Sequence, residues 1–444
     1  MPALVIPGAL RDLSGGRDRI EASGATIADL LAAADKTCPG LAGRVVDELG
    51  RLRPHVKLFV GGEIAALADP VAEDDDVRIL PAISGGAGDE VELLVGTRKG
   101  LFVLKGAPGA PFEQVVRAFP GEVVEYATKD PRTGTYLVSV THGQFGPRVH
   151  LTDDVTGEWE EAEGPAFPSD AGAAIERTWV IQPGEEDGVL WAGVAPAALF
   201  RSEDAGRKWA LNRGLWDEPS RPHWQPGAGG MCLHSISQWP GDPRRMAVGI
   251  SAAGVWLTDD GGASWRRGIE GIAARYLPPE ARAGAVDLCV HNLHRSPMRP
   301  ERLYMQFHGG VYRSDDAGET WIDIGSDGGL PADFGFPLVA DPRDPDRAFV
   351  IPLKADMDRV TPGGRVAVYE TRDAGESWSP LGQGLPESNA YLTILRQAFC
   401  HDGRDPLGLY FGAESGEVFA YSDAMGAWSV ATEHLAPVTS VRCA

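Results

Sequence analysis

Four segments of this chain repeat one template: Ser202-Glu203-Asp204-Ala205-Gly206-Arg207-Lys208-Trp209, Thr258-Asp259-Asp260-Gly261-Gly262-Ala263-Ser264-Trp265, Ser314-Asp315-Asp316-Ala317-Gly318-Glu319-Thr320-Trp321 and Thr371-Arg372-Asp373-Ala374-Gly375-Glu376-Ser377-Trp378. A fixed period restricts a chain to architectures in which like units stack on one another. Degenerate copies end at Trp159, after Thr152-Asp153-Asp154, and at Trp428, after Ser422-Asp423. With the short strand patterns that recur from Gly100-Leu101-Phe102 to Gly416-Glu417-Val418-Phe419, this makes seven units of about 50 to 57 residues. That length suits four-stranded propeller blades. In the template, the Asp carboxylate can accept hydrogen bonds from the N–H groups of a tight turn, the Gly can take positive φ, and the Trp can pack beneath the hairpin. These Asp residues are therefore expected to be turn caps, not catalytic groups.

The repeats resemble BNR/Asp-box propellers of the sialidase and sortilin type. That resemblance implies an all-β fold and leaves function open. The strand-like Pro437-Val438-Thr439-Ser440-Val441-Arg442 has no unit of its own, and the unit that begins at Val91 lacks an inner strand. The C-terminal segment is therefore expected to complete the first blade of a seven-bladed ring and remove its open edges.

Residues 1–86 follow another pattern. Ala3-Leu4-Val5-Ile6 reads as a strand, with Asp18-Arg19-Ile20-Glu21-Ala22 as its hairpin partner. Thr26 and Asp29 form a capping-box signal, and Ile27, Leu30, Leu31 and Ala34 then fall on one helical face. After Pro39 the apolar stripe continues through Leu41, Val45, Val46 and Leu49; Val56-Lys57-Leu58-Phe59-Val60 is expected to be a strand ending at Gly61-Gly62, and Val77-Arg78-Ile79-Leu80 the last strand. This is the β-grasp order, an α+β domain ahead of the propeller. The segment closes on Ile79-Leu80-Pro81-Ala82-Ile83-Ser84-Gly85-Gly86 and is similar to MoaD/ThiS-type, ubiquitin-like sulfur carriers, above all the carrier type used in bacterial cysteine biosynthesis. The resemblance implies that an activating enzyme adenylates the terminal Gly carboxylate, which becomes a sulfur-donating thiocarboxylate. Gly86 would then carry the sulfur, with Gly85 giving clearance in a narrow enzyme channel. Here Ala87-Gly88-Asp89-Glu90 continues the chain, so activation would require a protease to cut after Gly86. The alternative is that the glycine pair is an interdomain linker. The expected division is 1–86, a short linker at 87–90, and a propeller over 91–444.

A net charge of −22, from 41 Lys+Arg and 63 Asp+Glu, argues against nucleic acid as a partner. Five Cys give no disulfide framework, the N-terminus lacks a cationic signal-peptide region, and no apolar run reaches the roughly 20 residues needed to span a bilayer. The cytoplasm is the expected compartment, with no membrane partner and no cofactor.

Registering the first strand of each unit on the turn that follows gives an apolar column, Val123, Ile175, Cys232, Cys289, Phe334 and Ile394. Two residues on, the column reads Glu125, Arg177, His234, His291, Phe336 and Arg396. Ionisable groups at equivalent inner positions need partners, and their convergence at the axis predicts either an anion-attracting funnel or a structural network around channel water. His142, Glu176, Trp179, His294 and His308 are expected nearby. The matched Cys232-Leu233-His234 and Cys289-Val290-His291 hint at a soft metal, but their spacing is not that of a known finger and Cys is a common small core residue, so no metal is assigned. A sialidase would need an arginine cluster, an Asp acid and a Glu-activated Tyr. The Phe-Arg-Ile-Pro-like motif is absent, only Gly96-Thr97-Arg98-Lys99-Gly100 stands in the first unit, and no Tyr-Glu pair is identifiable. The reading favoured is a carrier-like domain fused to a non-hydrolytic propeller that binds a small anionic ligand or a protein. The alternatives are a precursor cut after Gly86 and a propeller hydrolase or lyase.

Overall fold

The computed structural model describes the whole chain except residues 7–9, 11–12, 47–49, 53–55, 61–62, 82–89, 228, 279–287 and 326–327. The N-terminal domain is a five-stranded sheet covered by helices. Its strands are β1 (Ala3–Val5), β2 (Arg19–Glu21), β3 (Val56–Val60), β4 (Glu63–Ala65) and β5 (Asp76–Pro81), in the spatial order β2-β1-β5-β3-β4. β1 runs antiparallel to β2 and parallel to β5, the crossover that defines a β-grasp sheet. Helix α1 (Ile27–Asp35) begins where the sequence signals it: Asp29 N–H donates to Thr26 Oγ1 at 3.3 Å, and Thr26 N–H donates back to Asp29 Oδ2 at 3.1 Å. Its apolar face, Ile27, Leu30, Leu31 and Ala34, is fully buried against Leu4, Leu58, Val77 and Ile79. β4 is an addition to the expected order, because Val60 and Glu63 pair across a hairpin where the sequence suggests a strand end. Leu49, Gly61 and Gly62 lie outside the described residues.

From Val91 onward the described residues form seven antiparallel sheets of four strands each. In six of them the strands follow chain order. In the seventh, Val438–Cys443 pairs with Val91–Thr97, which pairs with Gly100–Gly106 and then Glu113–Ala118. The first strands, Val123–Lys129, Arg177–Pro183, Cys232–Trp239, Val290–Arg295, Gly335–Ala340 and Phe399–His401, lie each against the next, and Val438–Cys443 touches both the last and the first. The result is a propeller-like array with apolar cores between the sheets.

The repeated template acts as expected on the turns. Asp204 Oδ1 accepts from Lys208 N–H at 2.8 Å, Asp260 Oδ1 from Ser264 at 2.9 Å, Asp316 Oδ1 from Thr320 at 2.9 Å and Asp373 Oδ1 from Ser377 at 2.9 Å. The template Gly has φ between +88° and +100°, where a side chain would be strained. The tryptophans do more than floor their own hairpins. Trp209 bonds Gly206 O in its own turn, Trp265 shares its N–H between Gly262 O of its own turn and Asn212 Oδ1 of the preceding unit, and Trp321, Trp378 and Trp428 donate to Gly268 O, Ile324 O and Leu381 O of the preceding unit. Each of these last four indoles therefore clasps two sheets. The degenerate copy at Asp423 serves an ion-pair network, where its carboxylate takes two hydrogen bonds, at 2.6 and 2.7 Å, from buried Arg347, which also reaches Asp341 and Glu370.

Candidate functional site

Three members of the inner-strand column, Glu125, Arg177 and Arg396, meet at one cavity. Arg177, on the strand that starts there, directs Nε to Glu125 Oε1 at 3.1 Å, and its guanidinium lies 4.9 Å from the centre of the Trp179 ring. Arg396 sits on the loop before Phe399–His401 and stacks between two aromatic faces, 5.7 Å from Trp179 and 4.8 Å from Phe336. Glu125, Arg177, Trp179 and Arg396, together with Arg98, Thr141, Leu395, Gln397 and Thr439, line a cavity of about 200 Å³.

The charge pairing there is uneven. Glu125 answers Arg177, and Glu414 answers Arg98 at 2.9 Å. Among the described residues Arg396 has no carboxylate within salt-bridge distance, and its Nε and the Trp179 Nε1 are buried donors without an acceptor. Unpaired buried donors are costly, so their presence at a cavity marks a place for an acceptor. Burial pushes the Glu125 carboxyl above the usual range, against the opposing pull of Arg177, Thr141 and Arg98.

The two column histidines are enclosed instead of lining this cavity. His234 is 1% exposed; Nε2–H donates to Val290 O at 2.8 Å, which leaves Nδ1 to accept from Ser235 Oγ at 3.0 Å. Burial, then the Arg396 charge, pushes its pKa down to about 3. His291 is 2% exposed, Nδ1–H donates to Gly335 O at 2.6 Å, and burial holds it neutral, well below the usual imidazole range. His308 packs edge-on against His291 at 5.3 Å, and burial lowers its pKa against the opposing charge of Asp356. His142 instead caps its own hairpin, accepting from the N–H groups of Gln144 and Phe145. Glu176 is exposed and does not line the cavity. His294 faces a second cavity of about 440 Å³ at the other end of the axis, with Tyr126, Cys400, His401 and Arg442.

Two residues next to the column shape the axis and carry no mark in the sequence. Gln397 lines both cavities and sends Nε2–H to His234 O at 2.7 Å, while Asn292 donates to Arg396 O at 2.9 Å. Both amides span non-adjacent sheets, a pairing that sequence separation conceals. The available signal is their position, one residue after Arg396 and His291.

Gly85 and Gly86 lie outside the described residues. What is described is the junction's two ends, β5 finishing at Pro81 and Glu90 O held by Arg404 Nη2 at 2.8 Å.

The ThiS family model matches residues 4–86, so the match ends on the second glycine of the tail. Over 87 residues the chain is 33% identical to the sulfur carrier protein CysO of Mycobacterium tuberculosis, covering 18% of this chain and 94% of that one. Through this domain, the chain belongs to the ThiS family. The ThiS domain is also 35% identical over 79 residues to small archaeal modifier protein 1 of Haloferax volcanii, covering 17% of this chain and 91% of that protein. The remaining domain has the fold of a Bacteroides fragilis protein described as a candidate 6-phosphogluconolactonase, with a TM-score of 0.52 at 10% identity over 81% of this chain and 99% of that one. At that identity the likeness concerns fold alone. No helix among the described residues is long and apolar enough to cross a membrane.

Proposed function

We propose that this protein is a permanent fusion of a ThiS-type sulfur-carrier domain with a closed seven-bladed propeller whose axial cavity binds a small anion. The observation that carries the binding half is Arg396, a cation between two aromatic rings whose buried Nε, like the neighbouring Trp179 Nε1, has no acceptor among the described residues. An oxyanion or carboxylate accepts from both donors and adds negative charge beside Arg396, the one arginine of this cavity left over among the described residues once Glu125 answers Arg177 and Glu414 answers Arg98. The cavity of about 200 Å³ suits a few heavy atoms, not a polymer. Calorimetry of the full chain with sulfate, phosphate, thiosulfate and acetate is expected to find one that binds. Arg396→Ala should weaken that anion at least tenfold, about 1.4 kcal/mol. Equal affinity in the variant moves the site elsewhere, and no binding by any of the four in the millimolar range removes this reading.

One finding favours a second reading, a precursor cleaved to expose a working carrier tail: the family match stops at Gly86, where a free carboxylate would be required. Against it stand the anchoring of Glu90 by Arg404 and the strand pairing that starts at Val91, which leave a short segment for a protease to enter. Intact mass measurement on protein from sulfur-starved host cells separates the two. The fusion predicts only the full-length chain, and an N-terminal fragment ending at Gly86 would establish the precursor with its protease and activating enzyme.

A further inference from the structure

We propose that Cys289, His291 and His308 form a binding site for one zinc-class divalent cation, with a fourth coordination position left open. Their ligand atoms lie within 4.8 Å of one another. Tetrahedral zinc with one sulfur and two nitrogen ligands places those atoms roughly 3.3–3.6 Å apart, so closing the site takes side-chain shifts of about 1 Å. The grouping departs from the sequence pattern, in which Cys232-His234 and Cys289-His291 look equivalent. His234 commits Nε2–H to Val290 O and cannot turn it to a metal, whereas His308, just beyond Leu303–Phe307 on the neighbouring strand, comes alongside His291.

The surroundings orient each ligand as a metal requires. His291 donates Nδ1–H to Gly335 O, which fixes the tautomer whose Nε2 lone pair is free to coordinate. His308 Nε2 lies 3.7 Å from Asp356 Oδ2, so a small turn of the ring would let that carboxylate accept from Nε2–H and steer the imidazole while Nδ1 ligates. Ser251 Oγ is 3.0 Å from Cys289 Sγ and can donate to a thiolate, and the Cys289 backbone N–H is held at 3.1 Å by the Tyr276 hydroxyl. Phe334 walls both imidazoles at 5.4 and 5.3 Å, and Tyr276 covers His308 at 4.7 Å. Cys289 and His308 are partly exposed, which gives the ion an entry path. Arg396 and Arg359 are the nearby cations and Asp356 the nearby carboxylate, and of the three ligands only Cys289 can bring negative charge to the ion itself. Phe336 packs on both His291 and Arg396, so the ion would stand one ring away from the anion cavity.

The test uses the full chain, freed of metal with a chelator and titrated with Co(II). The expected result is one equivalent bound per chain, with the visible bands of tetrahedral cobalt and a thiolate-to-cobalt charge-transfer band, all displaced by Zn(II). Cys289→Ser should abolish the charge-transfer band, and His308→Ala should lower affinity at least about tenfold, both with metal-free melting curves close to the parent. The close thiol pair Cys400 and Cys443, 3.7 Å apart, is the competitor. A band that survives Cys289→Ser and disappears in Cys400→Ser overturns the assignment, as does the absence of stoichiometric binding.

Discussion

Deleting residues 438–443 is expected to abolish the cooperative unfolding transition of the propeller-like domain while leaving that of the ThiS domain in place. The strand is short, but it pairs with Val91–Thr97 from Leu93 to Thr97 and packs against Phe399–His401. It buries Val438 and Val441 completely, and takes part in one continuous apolar core with Leu93, Val95, Phe399 and Phe411. Its side chains also bridge neighbours: Arg442 donates to the Tyr126 hydroxyl at 2.8 Å and to Gln397 O at 2.7 Å, and Thr439 donates to Val124 O. Burial of the two valines alone is worth about 3–6 kcal/mol, and the backbone pairing left open adds to it. A loss of that size is comparable to the whole stability of a typical domain. The exposed edge of Val91–Thr97 would then template aggregation. The ThiS domain has its own core, from Leu4 to Ile79, with no member from the sheets beyond. Scanning calorimetry and size-exclusion chromatography measure the effect. A soluble monomer whose upper transition shifts by only a few degrees would mean that this strand does not hold the array together.

The second large effect is acid lability traced to His234. Its folded pKa, near 3, lies below the ordinary 6.5 expected when the chain is unfolded. Between those values the unfolded chain binds a proton that the folded one refuses, so stability falls as pH drops below 6.5 and the loss is complete near pH 3. The slope is about 1.4 kcal/mol per pH unit, which amounts to roughly 3 kcal/mol by pH 4. Above pH 6.5 the residue is neutral in both states and contributes no pH dependence. His234→Gln keeps a donor for Val290 O and removes the titration. Denaturant melts at pH 7 and pH 4 should therefore show the parent losing about 3 kcal/mol more than the variant. Parallel losses in the two proteins would contradict the buried, neutral imidazole.

How much is legible in the sequence follows from how local each signal is. The capping box at Thr26 and Asp29, the apolar face of α1 and the turn-capping Asp residues depend on neighbours within four positions, so spacing alone carries them. The inner column is legible for a related reason, since a repeat places equivalent residues at equivalent depths. That brings Glu125, Arg177 and Arg396 to one cavity with Trp179. Register does not say which way a ring turns or what encloses it. His234 and His291 share the column with Arg396, yet both face backbone carbonyls of the next sheet. His142, close to the column along its own unit, caps a hairpin instead of joining the site, because its nearest free donors are two and three residues away.

The sequence by itself determined a ThiS-type domain ending in two glycines and a repeated array of β hairpins, because composition, period and turn chemistry are properties of short segments. Only the tertiary structure decided which polar groups are answered and which are left over. Gln397 reaching His234 O, Asn292 reaching Arg396 O, and His308 joining Cys289 and His291 are contacts between strands of different sheets, or between neighbours whose side chains choose one partner among several. Burial makes those choices consequential, since a donor removed from water must find an acceptor or wait for a ligand. At Arg396 Nε and Trp179 Nε1 the described residues supply no acceptor, and no pattern of spacing along the sequence foretells that.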